Sequence, residues 1–277
     1  MVCFLLIQGI LMSQDRIKVF VGTAPDGADA ESQMVLEYTL RKYASMPVDI
    51  VWMTMTNDPE SFWSGWNTKL WSTPFSGFRW AIPEYCGFEG QAIYMDSDMI
   101  INTDIAELWN NPFEAGKVVQ SKGGWRFCVC KWDCAAAKPH LLPVSRMRTI
   151  AESHQRMMNS FAQNPNIIQM FDRQWNNFDG ENDSLTSAKI LHYTAMDHQP
   201  HLKYAIPRLK EEGKTHWFDG EVKTHWRQDV IELFDTQYRE ALRSGMTVEE
   251  YVPKEVIGTY SKLSQAGYKA NHGYDPN

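Results

Sequence analysis

Two carboxylates, Asp96 and Asp98, stand one residue apart at the end of the apolar run 92–95. An apolar run of this length that follows Gly90 predicts a buried strand. In an open α/β sheet, the carboxyl end of such a strand borders the ligand crevice. Partly buried carboxylates need a partner, and a hard divalent cation takes oxygen ligands and bridges them to phosphates. The pattern indicates an Asp-x-Asp site for Mg²⁺ or Mn²⁺ that holds a diphosphate. The alternative is a solvated turn with two surface acids.

A third ligand for such a cation is available at His192, where the predicted short strand 188–193 ends. A histidine at a strand end is more often a structural residue with its hydrogen bonds satisfied than a ligand. Two carboxylates with one imidazole nevertheless form a plausible ligand set for Mn²⁺, because imidazole shifts the preference from Mg²⁺ toward a transition metal.

The elements that position these residues begin with a strand, a helix and a second strand, predicted over residues 17–23, 31–44 and 48–53. A strand, helix and strand at this spacing form a βαβ unit, which implies a parallel sheet. The loop 23–27 then lies at the ligand edge of the sheet. It is either a nucleotide contact or an ordinary connecting turn.

Further along the chain, the pattern predicts short helices at 75–85, which carries Arg79, and from Asp104 onward. Strands are predicted at 117–120 and 125–131, with Phe127 and Val129 on one face and Cys128 and Cys130 on the other. A later helix is predicted over 230–243. The tryptophans at 63, 66 and 71 could stack on a sugar, but core packing is the favoured interpretation.

Composition narrows the class of protein. The 277-residue chain has a formal net charge of −7, which disfavours a nucleic-acid partner. Its five cysteines are an odd number in a long chain, and this argues against a disulfide framework and for a reducing compartment. Cys128, Cys130 and Cys134 lack zinc-site spacing and are interpreted as buried free thiols. We therefore expect a soluble cytoplasmic protein, or one peripheral to a membrane.

The first twelve residues are apolar but too short to span a bilayer, and no later segment is long and apolar enough to do so. Three interpretations compete for residues 1–12: an over-long gene start with Met12 as the initiator, which we favour, a weak anchor, or a packed first strand. The predicted organisation is an ill-determined segment 1–15, a nucleotide-sugar-binding catalytic domain 16–210, and an irregular C-terminal extension 211–277 on the acceptor side.

The extension contains a near-repeat, Lys-Thr-His-Trp at 214–217 and again at 223–226, on either side of Asp219 and Gly220. Asp-Gly between matching segments predicts a hairpin turn. Metal binding by His216 and His225 is a weak alternative role. Residues 266–277 are predicted to be disordered.

Taken in order, four features resemble the nucleotide-sugar glycosyltransferases of the GT-A fold, and within them glycosyltransferase family 8. These features cover roughly residues 16–205. The first three are the strand 19–23, the Arg-x-x-Ile-Pro pattern that begins at Arg79, and the Asp-x-Asp strand with the helix after it. The fourth is Trp175-Asn176 followed later in the chain by Ile-Leu-His-Tyr-Thr at 190–194. The resemblance implies an α/β, Rossmann-like, mostly parallel sheet flanked by helices.

The resemblance also implies a function and a set of site residues. It implies a retaining hexosyltransferase that moves a sugar from a UDP-sugar to a glycan or other hydroxyl acceptor. Mn²⁺ or Mg²⁺ would be held by Asp96, Asp98 and His192, and would neutralise the departing diphosphate. Arg79 and Asp98 would be catalytic, with Arg79 near the donor sugar or phosphate. The donor-binding set would be Thr23, Arg79, Asp96, Ser97, Asp98 and Gln199.

Two departures from the family pattern leave the donor sugar and the stereochemistry open. Gln199-Pro200-His201 stands where the family has Lys-Pro-Trp, and residues 125–128 stand where it has an Asn-Ser/Ala-Gly element. A non-catalytic or degenerate binding protein of the same fold remains an alternative. So does a nucleotidyltransferase, although the loop 24–27 lacks the lysine or arginine it would need. An aspartate phosphatase is disfavoured, because it would carry its acidic motif at the end of the first strand and not at Asp96.

Overall fold

The computed structural model describes residues 16–181, 184–218, 220–255 and 257. The strands are β1 Ile17–Gly22, β2 Val48–Met53, β3 Gln91–Asp96, β4 Met99–Ile101, β5 Val119–Ser121, β6 Val129–Asp133, β7 Ile168–Met170, β8 Asn177–Phe178 and β9 Ile190–His192. The helices are α1 Ala30–Tyr43, α2 Ile82–Tyr85, α3 Ala106–Trp109, α4 Cys134–Ala137, α5 Val144–Thr149, α6 Ser153–Ala162, α7 Leu202–Glu211 and α8 Gln228–Arg243. Residues 1–15, Asp219 and 258–277 lie outside the described part, and with them the predictions for the N-terminal segment and the disordered tail.

A central sheet of six strands has the order β2-β1-β3-β6-β5-β7. β1 pairs in parallel with both β2 and β3, β5 pairs in parallel with β7, and β6 is antiparallel to its neighbours β3 and β5. Five of the six strands therefore run in one direction, which confirms the predicted mostly parallel α/β sheet. A smaller sheet, β4-β9-β8, continues from the carboxyl edge of β3.

The predicted βαβ unit is confirmed. Glu31 lies in the first turn of α1, and Arg41 and Lys42 lie in its last turn, where each charge opposes the helix dipole. The helix predicted over 75–85 is a 3₁₀ segment, Ser76–Ala81, followed by α2. Pro83 lies at the start of α2, where its missing N–H costs no intrahelical hydrogen bond.

The strand predicted over 125–131 is wrong at its start, because β6 begins only at Val129. The chain before β6 turns through Gly123 and Gly124, which have φ values of 85° and 58°. The predicted alternation of faces fails for the same reason. Phe127 shares a core cluster with Cys130, whereas Val129 packs in the cluster on the other side of the sheet.

Two apolar clusters cover the two sides of the sheet. One is rich in tryptophan and includes Trp63, Trp66, Trp71, Trp80 and Trp132. The three tryptophans considered for sugar stacking are therefore core residues, as the favoured interpretation had it. The other cluster includes Leu36 and Leu40 of α1.

Helix α8 packs closely on the rest of the protein. Val230 and Phe234 of α8 are fully buried and pack with Val35 of α1 and with Leu191 and Tyr193. Helix α8 therefore completes the core over the small sheet. No helix within the described residues is long and apolar enough to cross a membrane.

Candidate active site

Strand pairing brings two of the predicted ligands, Asp98 and His192, together. β3 ends at Asp96, the chain turns through Ser97 and Asp98, and β4 begins at Met99. β9 runs antiparallel to β4 with His192 opposite Met99. The histidine therefore lies beside the second aspartate, with Nε2 of His192 3.2 Å from Oδ1 of Asp98.

Asp96 is held by two buried donors. One oxygen, Oδ1, accepts hydrogen bonds from Nη2 of Arg79 at 3.1 Å and from the hydroxyl of Tyr94. The guanidinium of Arg79 lies 4.6 Å from the centroid of the Tyr94 ring, and its Nε donates to the carbonyl of Ser76 at 2.8 Å. Burial alone would lower the pKa of Arg79, but the Asp96 carboxylate together with Tyr94 and neighbouring thiols outweighs burial, so the net shift is upward. Arg79 is therefore a fixed cation behind Asp96.

The contact between Asp98 and His192 brings together two groups that both accept hydrogen bonds. Nδ1 of His192 lies 3.1 Å from Oδ1 of Asn176, so this nitrogen carries the proton in the neutral ring. Nε2 then presents its lone pair to Oδ1 of Asp98, a buried atom with no hydrogen-bond partner among the described residues. Burial lowers the pKa of His192, but Asp98, with smaller contributions from Asp96 and Asp179, raises it by a larger amount, so the net shift is upward. This geometry requires a cation, either a proton or a metal, between the two residues.

The donor set fits a divalent metal. Two carboxylates and one imidazole with a fixed tautomer suit Mn²⁺, and the unpartnered Oδ1 of Asp98 is an available ligand atom. The other oxygen of Asp98, Oδ2, accepts a hydrogen bond from Nε2 of Gln199 at 2.6 Å. Gln199 thus contacts a predicted metal ligand from the position where the resembling family has its lysine.

A cavity of about 140 Å³ opens onto these groups. Of the predicted site residues, Asp96, Ser97, Asp98, His192 and Gln199 line it. The structure does not bring the other two to its wall. Arg79 lies behind Asp96, and Thr23 is 1% exposed with no partner for its hydroxyl among the described residues.

A larger cavity of about 640 Å³ lies between α1, the end of β2 and residues 246–257. It contains none of the predicted site residues. The predicted site residues that line a cavity therefore all lie at the smaller one.

Sequence analysis missed Cys128, which lines the smaller cavity. Its Sγ and the nearest ligand atoms of Asp96 and His192 all lie within 4.8 Å of one another. Burial, with a smaller contribution from Asp96, raises the pKa of Cys128 to about 12. The thiol stays protonated at neutral pH and is not a natural ligand for a hard cation. Only the antiparallel pairing of β3 with β6, which the sequence did not reveal, could have placed it here.

Asp29 was also missed, and it anchors the opposite wall of the cavity. Its Oδ1 accepts from Nε1 of Trp217 at 2.9 Å, and its Oδ2 accepts from the backbone N–H of Ala24 at 3.0 Å. Nε2 of His216 lies 3.5 Å from the same carboxylate. Burial raises the pKa of Asp29, but the contact with His216 and further partners lowers it more, so the net shift is downward.

Asp29, His201 and His216 offer three buried ligand atoms within 4.8 Å of one another. Hydrogen bonding argues against a metal between them. Nδ1 of His216 accepts the backbone N–H of Phe218 at 3.0 Å, so Nε2 carries the ring proton and points it toward Asp29. Burial lowers the pKa of His201 to about 3, and both of its ring nitrogens lack a partner among the described residues. We interpret the group as a buried carboxylate that faces the imidazole of His216.

The near-repeat forms two copies of one local motif. The hairpin turn predicted at Asp219-Gly220 lies partly outside the described residues, because Asp219 is not among them. Residues 214–217 and 220–227, all within the described part, contain no strand. Nδ1 of His225 accepts the backbone N–H of Arg227 at 2.9 Å, and its Nε2 donates to Oδ2 of Asp179 at 3.0 Å. His216 turns its Nε2 toward Asp29 in a similar way, but at 3.5 Å and without a hydrogen bond among the described residues. The two histidines thus face different carboxylates, and among the described residues no group of three candidate metal ligands contains both.

The fold matches solved glycosyltransferase structures at low sequence identity. The WbbM bifunctional glycosyltransferase matches with a TM-score of 0.56 at 12% identity, over 87% of this chain and 52% of that one. An active-site mutant of LgtC matches with a TM-score of 0.53 at 8% identity, over 85% and 99%. The apo form of GlyE from Streptococcus pneumoniae TIGR4 gives 0.51 at 14% identity, over 86% and 62%.

This chain spans about half the length of WbbM. No protein-family model matches it, and no curated protein matches its sequence. The structural matches show that the chain has the GT-A fold predicted from the resemblance. Its assignment to family 8 within that fold stays a prediction.

Proposed function

We propose that this protein is a metal-dependent glycosyltransferase that moves a sugar from a UDP-sugar to a glycan or other hydroxyl acceptor. The observation that carries the proposal is that Asp96, Asp98 and His192 line one cavity at the carboxyl edge of β3 in a GT-A fold. Retention of configuration and the hexose donor rest on the sequence resemblance.

Asp96, Asp98 and His192 would hold Mn²⁺ or Mg²⁺. When bound, the cation offsets the negative charge that develops on the departing diphosphate. Asn176 fixes the tautomer of His192, so that its Nε2 lone pair faces the ligand position. Arg79 adds a buried positive charge that orients Asp96.

The walls of the cavity serve the transfer by excluding water. Phe75, Met196 and Trp217 are its apolar lining. Because apolar walls exclude water, they strengthen the electrostatic interactions in the cavity and protect the donor from hydrolysis. A cavity of about 140 Å³ is smaller than the roughly 300–1,000 Å³ typical of ligand pockets. A whole nucleotide sugar therefore needs more room than this cavity alone provides.

One observation favours a second candidate function, a binding protein that keeps the fold without catalysis. Gln199 engages Asp98 where the resembling family has a lysine that grips the diphosphate. A neutral amide gives the diphosphate less electrostatic attraction than an ammonium group would. Such a protein would bind a nucleotide sugar without releasing UDP from it.

Release of UDP separates the two candidates. The purified protein is incubated with UDP-glucose, UDP-galactose and their N-acetyl forms, with Mn²⁺ or with EDTA. We expect Mn²⁺-dependent release of UDP from at least one donor, and its loss in Asp98→Asn. The exposed Asp58 provides the matched control, Asp58→Asn. Absence of release from all four donors, or release that neither EDTA nor Asp98→Asn affects, would rule out the proposed enzyme.

The four described free thiols, Cys86, Cys128, Cys130 and Cys134, fit a reducing compartment. They support the cytoplasmic location that we propose for the enzyme.

A further inference from the structure

Trp226 is a large exposed aromatic residue on a rigid base. Its ring stacks on His225 with 4.3 Å between the centroids and 18° between the planes. His225 is itself fixed by its two hydrogen bonds, to Asp179 and from the backbone of Arg227. Even so, 52% of the Trp226 surface remains exposed. An indole held in place yet left open to water keeps its apolar surface available to a ligand at little entropic cost.

Polar groups lie around this ring. His198 stands edge-on to Trp226, with 5.2 Å between the centroids. Nδ1 of His198 is 2.8 Å from Oδ1 of Asp197, and Nζ of Lys223 is 3.5 Å from the other oxygen of that carboxylate. The surface thus combines an aromatic ring with a carboxylate, an imidazole and an ammonium group. We name Asp197, His198, Lys223 and Trp226 the indole platform.

The platform is continuous with the catalytic cavity. Asp179 connects the two, because its Oδ2 accepts from His225 and its Oδ1 accepts from Oγ1 of Thr194 at 3.3 Å. Thr194 and Met196 line the cavity, whereas the adjacent Asp197 and His198 belong to the platform. The backbone N–H of Lys223 also donates to the carbonyl of Asp197 at 2.6 Å. One loop, 194–199, therefore borders both sites.

From this arrangement we infer that the indole platform binds a sugar ring of the acceptor, with its C–H face on Trp226 and its hydroxyls on Asp197, His198 and Lys223. A pyranose has an apolar face of C–H groups and a rim of hydroxyls that both donate and accept hydrogen bonds. The indole platform offers an aromatic face for the C–H groups and polar side chains for the hydroxyls. The inference rests on the proposed glycosyl transfer and makes the acceptor a saccharide. It also gives the second Lys-Thr-His-Trp segment a role distinct from that of the first, whose Trp217 lines the cavity.

The test is saturation-transfer difference NMR with four probes at millimolar concentration: the methyl β-glycosides of glucose, galactose and N-acetylglucosamine, and methyl α-mannoside. We expect transfer to the ring protons of at least one probe with the wild-type protein. Binding should weaken at least about fivefold in Trp226→Ala, because an aromatic contact is worth about 1 kcal/mol. Trp226→Phe should retain part of the signal.

Tyr43→Ala is the matched control, because Tyr43 is an exposed aromatic residue, 37% exposed, at the last position of α1. UDP binding in the presence of Mn²⁺, measured on the same samples, separates the two proposals. Intact UDP binding with no saccharide signal, or with equal signals in wild type and Trp226→Ala, would overturn the platform alone. Absence of UDP binding by the wild-type protein would instead contradict the proposed function. A wild-type dimer that Trp226→Ala converts to a monomer in sedimentation would show that the ring is a contact between copies, which also overturns the platform.

Discussion

At the scale of single residues, the site depends on a conflict between two hydrogen-bond acceptors. Nε2 of His192 and Oδ1 of Asp98 lie 3.2 Å apart, and Asn176 holds the ring proton on the other nitrogen. The sequence predicted the two carboxylates and the imidazole from their positions at strand ends. It did not predict Asn176 as the residue that sets the tautomer, because only the parallel pairing of β8 with β9 brings Asn176 beside the ring.

Asn176→Ala tests this arrangement. Removing the acceptor frees the imidazole to change tautomer, and loss of a residue that orients a metal ligand typically weakens metal affinity about 10–100-fold. We expect a loss of that size in a calorimetric titration of Mn²⁺, with the fold preserved by circular dichroism. Asn110→Ala, at an exposed asparagine, is the control and should bind Mn²⁺ like the wild type. Equal Mn²⁺ affinity in both variants would show that Asn176 does not position His192.

At the scale of elements, side chains shape the near-repeat, whose residues 214–217 and 220–227 form no strand. In both copies of the near-repeat, the histidine Nδ1 accepts the backbone N–H two residues later. A side chain that captures a backbone N–H in this way competes with strand pairing. Each histidine then presents Nε2–H to a buried aspartate, His216 to Asp29 and His225 to Asp179. The local sequence contains Asp-Gly between matching segments, but it gives no information about the distant carboxylates that the imidazoles face.

His201, at the start of α7, makes the free energy of unfolding depend on pH. Its folded pKa of about 3 lies below the roughly 6.5 of an exposed histidine, because burial disfavours the charged ring. Between these values the unfolded chain binds a proton that the folded protein does not, so stability falls as the pH falls. The contribution of this residue between pH 7 and pH 5 is a loss of about 2 kcal/mol. His201→Phe, which keeps an aromatic ring beside Tyr193 and Phe234, should remove that loss.

The measurement for His201 is denaturant unfolding of wild type and variant at both pH values. The raised pKa of His192 acts with the opposite sign, and the lowered pKa of Asp29 acts only in more acidic solution. Both groups are present in the two proteins, so the difference between the proteins isolates His201. His140→Phe, at a half-buried histidine, should keep the wild-type loss. An equal loss in wild type and His201→Phe would mean that His201 is charged in the folded state.

At the scale of the whole molecule, local sequence patterns predicted those parts of the fold that are built from elements consecutive in the chain. The βαβ unit, the Asp-x-Asp strand and α8 all follow from apolar periodicity in single segments. The reversal of β6 did not, because its direction depends on pairing with β3 and β5 and leaves no periodic signal. Contacts across long separations were also invisible, such as the ion pair at 2.7 Å between Arg208 of α7 and Glu31 of α1.

The same limit explains what was found and missed at the site. Asp96, Asp98 and His192 carry a chemical signal in their own local sequence. Tyr94 lies inside the predicted strand, but its hydroxyl was identified as a partner of Asp96 only by the structure. Asp29 and Cys128 contribute to the cavity only because distant segments close around it. A residue whose role depends on tertiary contacts has no pattern of its own to detect.

The central claim is that a divalent metal at Asp96, Asp98 and His192 holds the diphosphate of the donor. Calorimetric titration of UDP, with Mn²⁺ and with EDTA, tests it most directly. We predict binding by the wild type only when Mn²⁺ is present, and loss of that binding in Asp98→Asn with the thermal unfolding transition retained. UDP binding of equal affinity with and without metal, or in wild type and Asp98→Asn alike, would contradict the account, as would the absence of binding under every condition.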